Sequence, residues 1–371
     1  MKQLLNYINN YKDFYTLIFI FVIFSNFSVG NFLLSDIIYG AFTFWTVIKL
    51  KDTPYKGLAL AFFLLVTIVN FILYGNSRAL LSTIRFDYGL IICAILFSSF
   101  DNDKYRNRLI NGYCYACVFF SAFVIMQFFS YYVLKINIDF SFGDYAREEN
   151  VAGAYDVLSD LFYRTGGMFK EPSWYAAYVS PVVFILTKQK RYKELLICLV
   201  GLLASTSGLG FAVLAIYVSW LVLLYDKRMG IIVALFVFFV YQYLPFIFNK
   251  MSTGALGKES SLGIRIVEPF SVLSHLDFSI IGLNPIFHYD SSGHVMVFLN
   301  TFMFVYFYYG IIGSFLFLNF IKMKNIRVLF IVIVAITLIE GLYGRIDFWM
   351  MLLACLLYNS SLSNRNKKMI I

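Results

Sequence analysis

The chain is poor in charge. Of its 371 residues only 14% are Asp, Glu, Lys or Arg, whereas an ordinary globular domain carries about a quarter. Apolar residues make up 60% of the sequence, and the mean hydropathy is +0.75. This composition excludes a water-soluble domain of the usual kind and predicts an integral membrane protein.

The motifs of the common cofactor chemistries are also missing. The sequence contains no GxxxxGK[ST] phosphate loop, no GxGxxG turn and no HExxH helix. Asp101-Asn102-Asp103 has the DxD pattern of nucleotide-sugar transferases, but the short connection around it leaves no room for a nucleotide-binding domain. His288, Asp290 and His294 are metal-ligand types at close spacing, but no neighbouring residues supply a second shell. We therefore predict neither a cofactor nor a metal.

Long hydrophobic runs, in contrast, recur along the whole chain. Crossing about 30 Å of hydrocarbon takes roughly 17–25 helical residues, and the first run has no small-residue cleavage site, so it predicts an uncleaved anchor. The five cysteines fall inside such runs and are interpreted as apolar packing. We predict an all-α membrane protein of about twelve transmembrane helices, near residues 15–34, 36–50, 57–74, 86–100, 109–134, 173–187, 194–206, 208–225, 229–248, 295–319, 326–342 and 346–358.

The placement of Lys and Arg predicts the orientation. If the twelve spans alternate from a cytoplasmic N-terminus, the inner segments hold 20 of the 30 basic residues, in clusters such as 188–193 and 365–368. Cytoplasmic loops carry such an excess, so both termini are predicted to be cytoplasmic. The net charge of +9 then reflects topology, and nucleic acid is not an expected partner.

Two connections, 135–172 and 249–294, are long, and this topology places both on the outer face. The rest of residues 1–371 is taken up by spans, so we predict a single multi-pass domain without a separate soluble catalytic domain. Loops of this length are usually functional or disordered. Any chemistry is therefore expected in these two outer loops.

Each outer loop carries an arginine followed by a Glu-Pro pair near a membrane boundary. The first has Arg164, Gly166-Gly167 and Glu171-Pro172, and the second has Arg265 before Glu268-Pro269. Pro172 and Glu171 also suit the start of a helix, an interpretation that leaves Arg164 and the glycines unexplained. His294 lies at the outer end of the following span, where it is a candidate general base or an interfacial anchor.

In these features the sequence resembles the O-antigen polymerase (Wzy) family and the related O-antigen ligases. The resemblance covers roughly residues 160–315 and rests on the first-loop pattern, Ser205-Thr206-Ser207-Gly208, Arg265, and the run from His294 through Asn300 to Gly310-Ile311-Ile312-Gly313. It implies a GT-C-like membrane glycosyltransferase of the bacterial cytoplasmic membrane. Val295 after His294 and Tyr308-Tyr309 before Gly310 differ from the ligase pattern and favour the polymerase branch.

The resemblance implies an undecaprenyl-pyrophosphate-linked glycan as donor and a second lipid-linked repeat unit as acceptor, with membrane lipid, a chain-length regulator and a flippase as partners. Forked hydrogen bonds from arginine suit a pyrophosphate, so we assign it to Arg164 and Arg265, with Arg147 and Arg345 as weaker candidates. Arg345 lies between Glu340 and Asp347, where a structural ion pair is the favoured alternative.

His294 is the first candidate for the base that deprotonates the acceptor, and Glu171 is the second; Glu171 could instead orient Arg164. Two other functions stay open. One is a ligase that moves finished glycan onto an outer acceptor, and the other is a flippase or transporter for lipid-linked oligosaccharides. A transporter is expected to bury charged residues in the middle of its spans.

Overall fold

The structure is a computed structural model in which the described part of the chain is mostly helical. That part comprises residues 12–26, 28–29, 32–49, 57–74, 77–99, 103–136, 138, 165–169, 171–222, 228, 231–235, 238, 282, 300–321 and 345–368. Among these described residues, three segments are long and apolar enough to cross a membrane: Leu80–Ser98, Tyr105–Tyr132 and Thr301–Ile321. The apolar helices indicate a membrane protein.

Helices lie in most of the predicted spans, although several of them begin or end at other residues than predicted. In chain order the described helices are α1 Lys12–Ile20, α2 Leu34–Lys49, α3 Gly57–Tyr74, α4 Ser77–Ser99, α5 Asp103–Tyr132, α6 Pro172–Lys188, α7 Tyr192–Ala204, α8 Gly208–Trp220, α9 Thr301–Ile321 and α10 Ile346–Lys368. For α3 the predicted and observed bounds coincide. The predicted span at 326–342 lies outside the described residues.

The predicted first span, 15–34, is wrong as a continuous helix. After α1 the chain forms a 3-10 helix, Phe21–Asn26, and then a small antiparallel pair of strands, β1 Ser28–Val29 and β2 Phe32–Leu33. Val29 pairs with Phe32, so only Gly30-Asn31 separates the strands. Gly-Asn is a residue pair that favours a two-residue hairpin connection over a continued helix.

The chain divides into two compact units that alternate in sequence. The first comprises Met1–Ser35 and Asn111–Thr253, and the second comprises Asp36–Ile110 and Gly254–Ile371. The single-domain organisation over residues 1–371 stays a prediction, and so do the outer loops at 135–172 and 249–294, most of which lie outside the described residues.

In the first unit α6 is the central helix, and it packs against both α7 and α8. Nearly all of its side chains are buried because it is apolar on every face. Tyr178 on α6 illustrates how it is held: its hydroxyl donates to the Phe19 carbonyl at 3.0 Å, while its own carbonyl accepts from Tyr113. These bonds tie α6 to α1 and α5.

In the second unit α3 packs against α4 and α9, and α4 also packs against α10. Phe86 on α4 is the centre of an aromatic cluster with Phe63, Tyr309 and Trp349 at centroid distances of 5.3–5.6 Å. Such tilted and edge-on pairs add about 0.5–1.5 kcal/mol each beyond their buried area. The cluster therefore fixes α3, α4, α9 and α10 around one aromatic core.

The outward face of α3 shows how this unit suits lipid. Leu64, Leu65, Ile68, Phe71 and Ile72 are all exposed, whereas Thr67 and Asn70 on the opposite face are buried. A soluble helix has the reverse arrangement, with its apolar stripe turned inward. The described face of α3 is therefore suited to a hydrocarbon surrounding, in which an exposed apolar side chain carries no penalty.

Candidate functional site

Glu171 directly precedes α6, and Pro172 is the first residue of the helix, which confirms the predicted helix start. The Glu171 carbonyl accepts from the backbone N–H groups of Trp174 and Tyr175 at 3.1 and 3.3 Å. Its carboxylate makes no capping bond and instead accepts from the Ser173 hydroxyl at 2.9 Å. Ser173 in the first turn of α6 therefore holds this carboxylate, which does not cap the backbone.

The residues just before Glu171 form a tight, buried turn. Phe169 N–H donates to the Gly166 carbonyl at 3.0 Å, and Gly167 adopts a φ of 61°. A Cβ on Gly167 would lie 2.8 Å from Val124 Cγ2 of α5. Only glycine therefore satisfies both the left-handed backbone and the close approach, which gives a physical reason for the second glycine of the Gly166-Gly167 pair.

A single side chain of α5 ties down residues at both ends of the predicted first loop. The Gln127 amide oxygen accepts from Gly167 N–H at 2.8 Å, and its amide nitrogen donates to the Ile138 carbonyl at 3.2 Å. Gln127 is 4% exposed. Because a buried amide makes both bonds, the start and the end of this loop are held at the same place on α5.

The same turn contacts the second short motif of the first unit. The Thr165 hydroxyl donates to the Ala204 carbonyl, at the point where α7 ends and the Ser205-Thr206-Ser207-Gly208 segment begins. Thr206 Oγ1 and Ser207 Oγ are buried there without a hydrogen-bond partner. Residues 165–169, 171 and 204–207 are called the motif cluster below.

Arg345 is held by an ion pair with Asp347. Its Nε lies 3.1 and 3.2 Å from the two carboxylate oxygens, and Nη2 lies 3.1 Å from Oδ2. Both side chains are largely buried, at 11% and 2% exposure. The predicted ion pair of Arg345 with Asp347 is therefore confirmed. Its other predicted partner, Glu340, lies outside the described residues.

The other predicted site residues, His294, Arg147, Arg164 and Arg265, lie outside the described residues, so their positions and roles stay predictions. Glu171 belongs to the first unit and Arg345 to the second. Of the predicted features, the structure brings together Gly166-Gly167, Glu171-Pro172 and the segment that begins at Ser205.

The sequence analysis missed a polar cluster in the second unit. Asp87 on α4 is 2% exposed, with Oδ2 at 2.6 Å from Thr67 Oγ1 and Oδ1 at 2.9 Å from Tyr309 Oη. The predicted span began at residue 86, which placed Asp87 at a membrane boundary. Because α4 begins at Ser77, Asp87 lies about 15 Å along the helix axis from its start. A lone acid within an apolar run was the available signal.

Family models, curated proteins and solved structures give no match to this chain. The class of protein therefore follows from the structure alone: the described part is that of a helical membrane protein.

Proposed function

We propose that the chain is a polysaccharide polymerase of about twelve transmembrane helices that joins lipid-linked repeat units at the outer face of the bacterial cytoplasmic membrane. Its substrates are undecaprenyl-pyrophosphate-linked glycans. A lipid anchor delivers such a substrate sideways to a site at the bilayer edge, and the pyrophosphate is itself the leaving group, so the reaction needs no nucleotide energy source.

The observation that carries this proposal is the motif cluster. Two short segments meet through the bond from Thr165 to Ala204, which are 39 residues apart in sequence. Helices α6 and α7 lie between the two segments in the sequence. Both belong to the pattern that resembles the polymerase family. Thr206 Oγ1 and Ser207 Oγ are buried in this cluster without a hydrogen-bond partner, so they are free to bind a polar ligand.

The chemistry assigned to the site is a glycosyl transfer. The acceptor hydroxyl oxygen attacks the anomeric carbon of the donor, the bond from that carbon to the pyrophosphate oxygen breaks, and undecaprenyl pyrophosphate departs. The hydroxyl proton passes to a base, assigned to His294 first and Glu171 second. Arg164 and Arg265 stabilise the charge on the departing pyrophosphate, since charged hydrogen bonds are worth about 1.5–3 kcal/mol each.

Glycan length in cells tests the assignments. In a strain that lacks the chromosomal gene, plasmid copies carrying Arg164→Ala or His294→Ala are expected to give single-repeat glycan in place of long chains, and Glu171→Gln is expected to shorten the chains. A positioned base contributes about 10²–10⁴ in rate. The measurement is the ladder of surface glycan on a gel, with protein levels checked by immunoblot.

Glu194→Gln is the matched control for Glu171→Gln. Both carboxylates lie at the starts of neighbouring helices, but Glu194 lies in the first turn of α7 at the predicted inner face and pairs with Arg191 at 3.1 Å. Its ladder is expected to be normal. A normal ladder from Arg164→Ala, His294→Ala or Glu171→Gln would remove that residue from the site, and normal ladders from all three would refute the proposed chemistry.

Asp87 favours a second candidate function, a transporter of lipid-linked oligosaccharides. Buried ionisable residues within spans commonly mark transport pathways, and Asp87 is such a residue. The same deletion strain distinguishes the two functions. Lipid-linked single repeats on the outer leaflet indicate a missing polymerase, and repeats that accumulate on the inner leaflet indicate a missing transporter.

A further inference from the structure

Three oxygen-bearing side chains from three helices of the second unit form a closed ring. Thr67 on α3, Asp87 on α4 and Tyr309 on α9 make three contacts within hydrogen-bond distance: 2.6 Å from Thr67 to Asp87, 2.9 Å from Tyr309 to Asp87, and 3.1 Å from Thr67 to Tyr309. All three side chains are buried, with at most 4% exposure. Each contact in such a ring needs its own proton to be a hydrogen bond.

Counting the protons assigns one to the acid. Thr67 and Tyr309 each supply a single hydroxyl proton. With an ionised Asp87, two protons serve three contacts, and both hydroxyls donate to the carboxylate. The two hydroxyl oxygens then lie 3.1 Å apart with no hydrogen between them. A protonated Asp87 completes the ring. We propose that Asp87 is an intramembrane proton-binding site whose acid form donates to Thr67, while Thr67 donates to Tyr309 and Tyr309 donates back to Asp87.

The surroundings favour the neutral acid. No cationic side chain within the described residues lies at ion-pair distance from Asp87, and an unpaired charge inside a membrane is costly. Helices α3 and α9 carry no charged residue. The charged residues of the other elements are Asp36 and Lys49 on α2, Arg78 and Arg85 on α4, Asp103, Lys104, Arg106 and Arg108 at the start of α5, and Asp347 and the basic residues of the last turns on α10.

An unused acceptor lies close to the ring. Asn70 follows Thr67 by one turn on the buried face of α3 and is 6% exposed. Its amide nitrogen donates to the Tyr308 carbonyl at 3.1 Å, but its Oδ1 has no hydrogen-bond partner. A buried acceptor of this kind is a place where a water molecule can bind. An unpaired acceptor therefore lies one helical turn from Thr67, on the same buried face of α3.

Proton binding at Asp87 is linked to the packing of α3 against α9. The bond from Thr67 to Tyr309 joins these two helices, and Tyr309 directly precedes Gly310, where α9 departs from helical geometry with φ 66° and ψ −160°. Loss of the proton removes one of the three hydrogen bonds beside this break. The site is thus a proton-controlled contact, and it does not depend on the polymerase proposal.

Infrared spectroscopy of the full-length protein in lipid nanodiscs tests the site. An aspartate in water is ionised above about pH 5, so a carboxylic-acid C=O band at about pH 7 reports a protonated buried acid. We expect this band in the wild type, its loss as the pH is raised, and its absence from Asp87→Asn. No such band in the wild type at about pH 7, or the same band in Asp87→Asn, overturns the proposal.

Two further variants keep the test decisive. Asp347→Asn is the matched control, because Asp347 is equally buried but is paired with Arg345, and it is expected to retain the band. Tyr309→Phe removes the donor to Oδ1 without touching the acid, so the band is expected to shift to higher frequency. An unshifted band in Tyr309→Phe contradicts the ring, even if Asp87→Asn fails to fold.

Discussion

Thr206 adopts a backbone conformation that is costly for its residue type. Its φ is 49°, in the left-handed region where a β-branched residue is a true outlier. Its hydroxyl is buried and unpaired, so no side-chain hydrogen bond offsets the backbone cost. Strain of this kind at a polar cluster is typical of functional positions. We infer that Thr206 is kept for its hydroxyl.

Replacing this residue should separate stability from activity. Because left-handed geometry costs an L-residue about 1–2 kcal/mol and glycine loses part of that gain in chain entropy, Thr206→Gly is expected to raise the free energy of unfolding by about 0.5–1 kcal/mol. It is also expected to shorten the glycan. Thermal unfolding in detergent measures the first effect, read by a thiol-reactive dye that reports exposure of the five buried cysteines.

Thr206→Ser is the control for this experiment, because it keeps the hydroxyl and the backbone strain. It is expected to preserve long glycan chains, although it loses the β-branch. If Thr206→Gly makes full-length glycan, the hydroxyl has no role in the reaction; if it melts earlier than the wild type, the strain argument is wrong.

At the level of helices, the break in α9 restricts the residue type at position 310. Gly310 has φ 66° and ψ −160°, a region that only glycine adopts readily. The Ser314 hydroxyl donates to the Gly310 carbonyl at 2.9 Å. A Cβ on Gly282 would lie 2.6 Å from Gly310 N, so a second glycine allows another backbone segment to reach the break.

Gly310→Ala is expected to lower the free energy of unfolding by about 1–3 kcal/mol, because alanine cannot adopt this geometry without strain. Thermal unfolding read by the thiol-reactive dye measures this loss of stability. Ile312→Ala is the control: Ile312 is 40% exposed on the same helix, and its truncation is expected to change the melt little. Equal melting of Gly310→Ala and the wild type would show that the break is not required.

Hydrophobic length predicted the helices well where the apolar run was bounded by clear polar segments. For α3, the clusters before residue 57 and after residue 74 marked both ends, and the bounds agree. It failed where apolar residues continue through a hairpin, as at Phe32-Leu33, since hydropathy does not distinguish a strand from a helix. It also began α4 too late, and that error concealed Asp87.

Some features of the candidate site were likewise predictable from the sequence, and others were not. Glu171-Pro172 was predictable because helix starts follow local rules, and the pairing of Arg345 with Asp347 was predictable because two opposite charges lie two residues apart. The contact of Thr165 with Ala204 and the ring of Asp87 with Tyr309 join residues that are distant in sequence. Such contacts depend on tertiary packing, which one sequence without relatives does not specify.

For the whole molecule, the proposed polymerase function depends on the orientation of the chain in the membrane. Helices α6 and α7 are joined by Gln189, Lys190 and Arg191, and this connection is basic and solvated. Arg191 there pairs with Glu194 and lies 4.7 Å from the Tyr115 ring. Basic connections favour the cytoplasm, which would place Glu171, at the other end of α6, on the outer side.

Two lysines offer a matched test of this orientation. Lys135 after α5 and Lys190 after α6 are both exposed, and both have a φ of 58°. In spheroplasts with an intact cytoplasmic membrane, a membrane-impermeant maleimide is expected to label Lys135→Cys at once and Lys190→Cys only after permeabilisation. The native cysteines are buried and serve as the unlabelled background. The reverse labelling would place the motif cluster in the cytoplasm and refute an outer-face polymerase.

The two bonds of Gln127 have a consequence for how such a chain can diversify. Because one amide fixes Ile138 and Gly167 to α5, the sequence between these anchor points can change in composition and length while the anchors stay in place. Closing a longer loop costs little, about 0.6 kcal/mol for each doubling of its length. Under the proposed function, this segment can vary in sequence without a change in the helices that carry its anchor points.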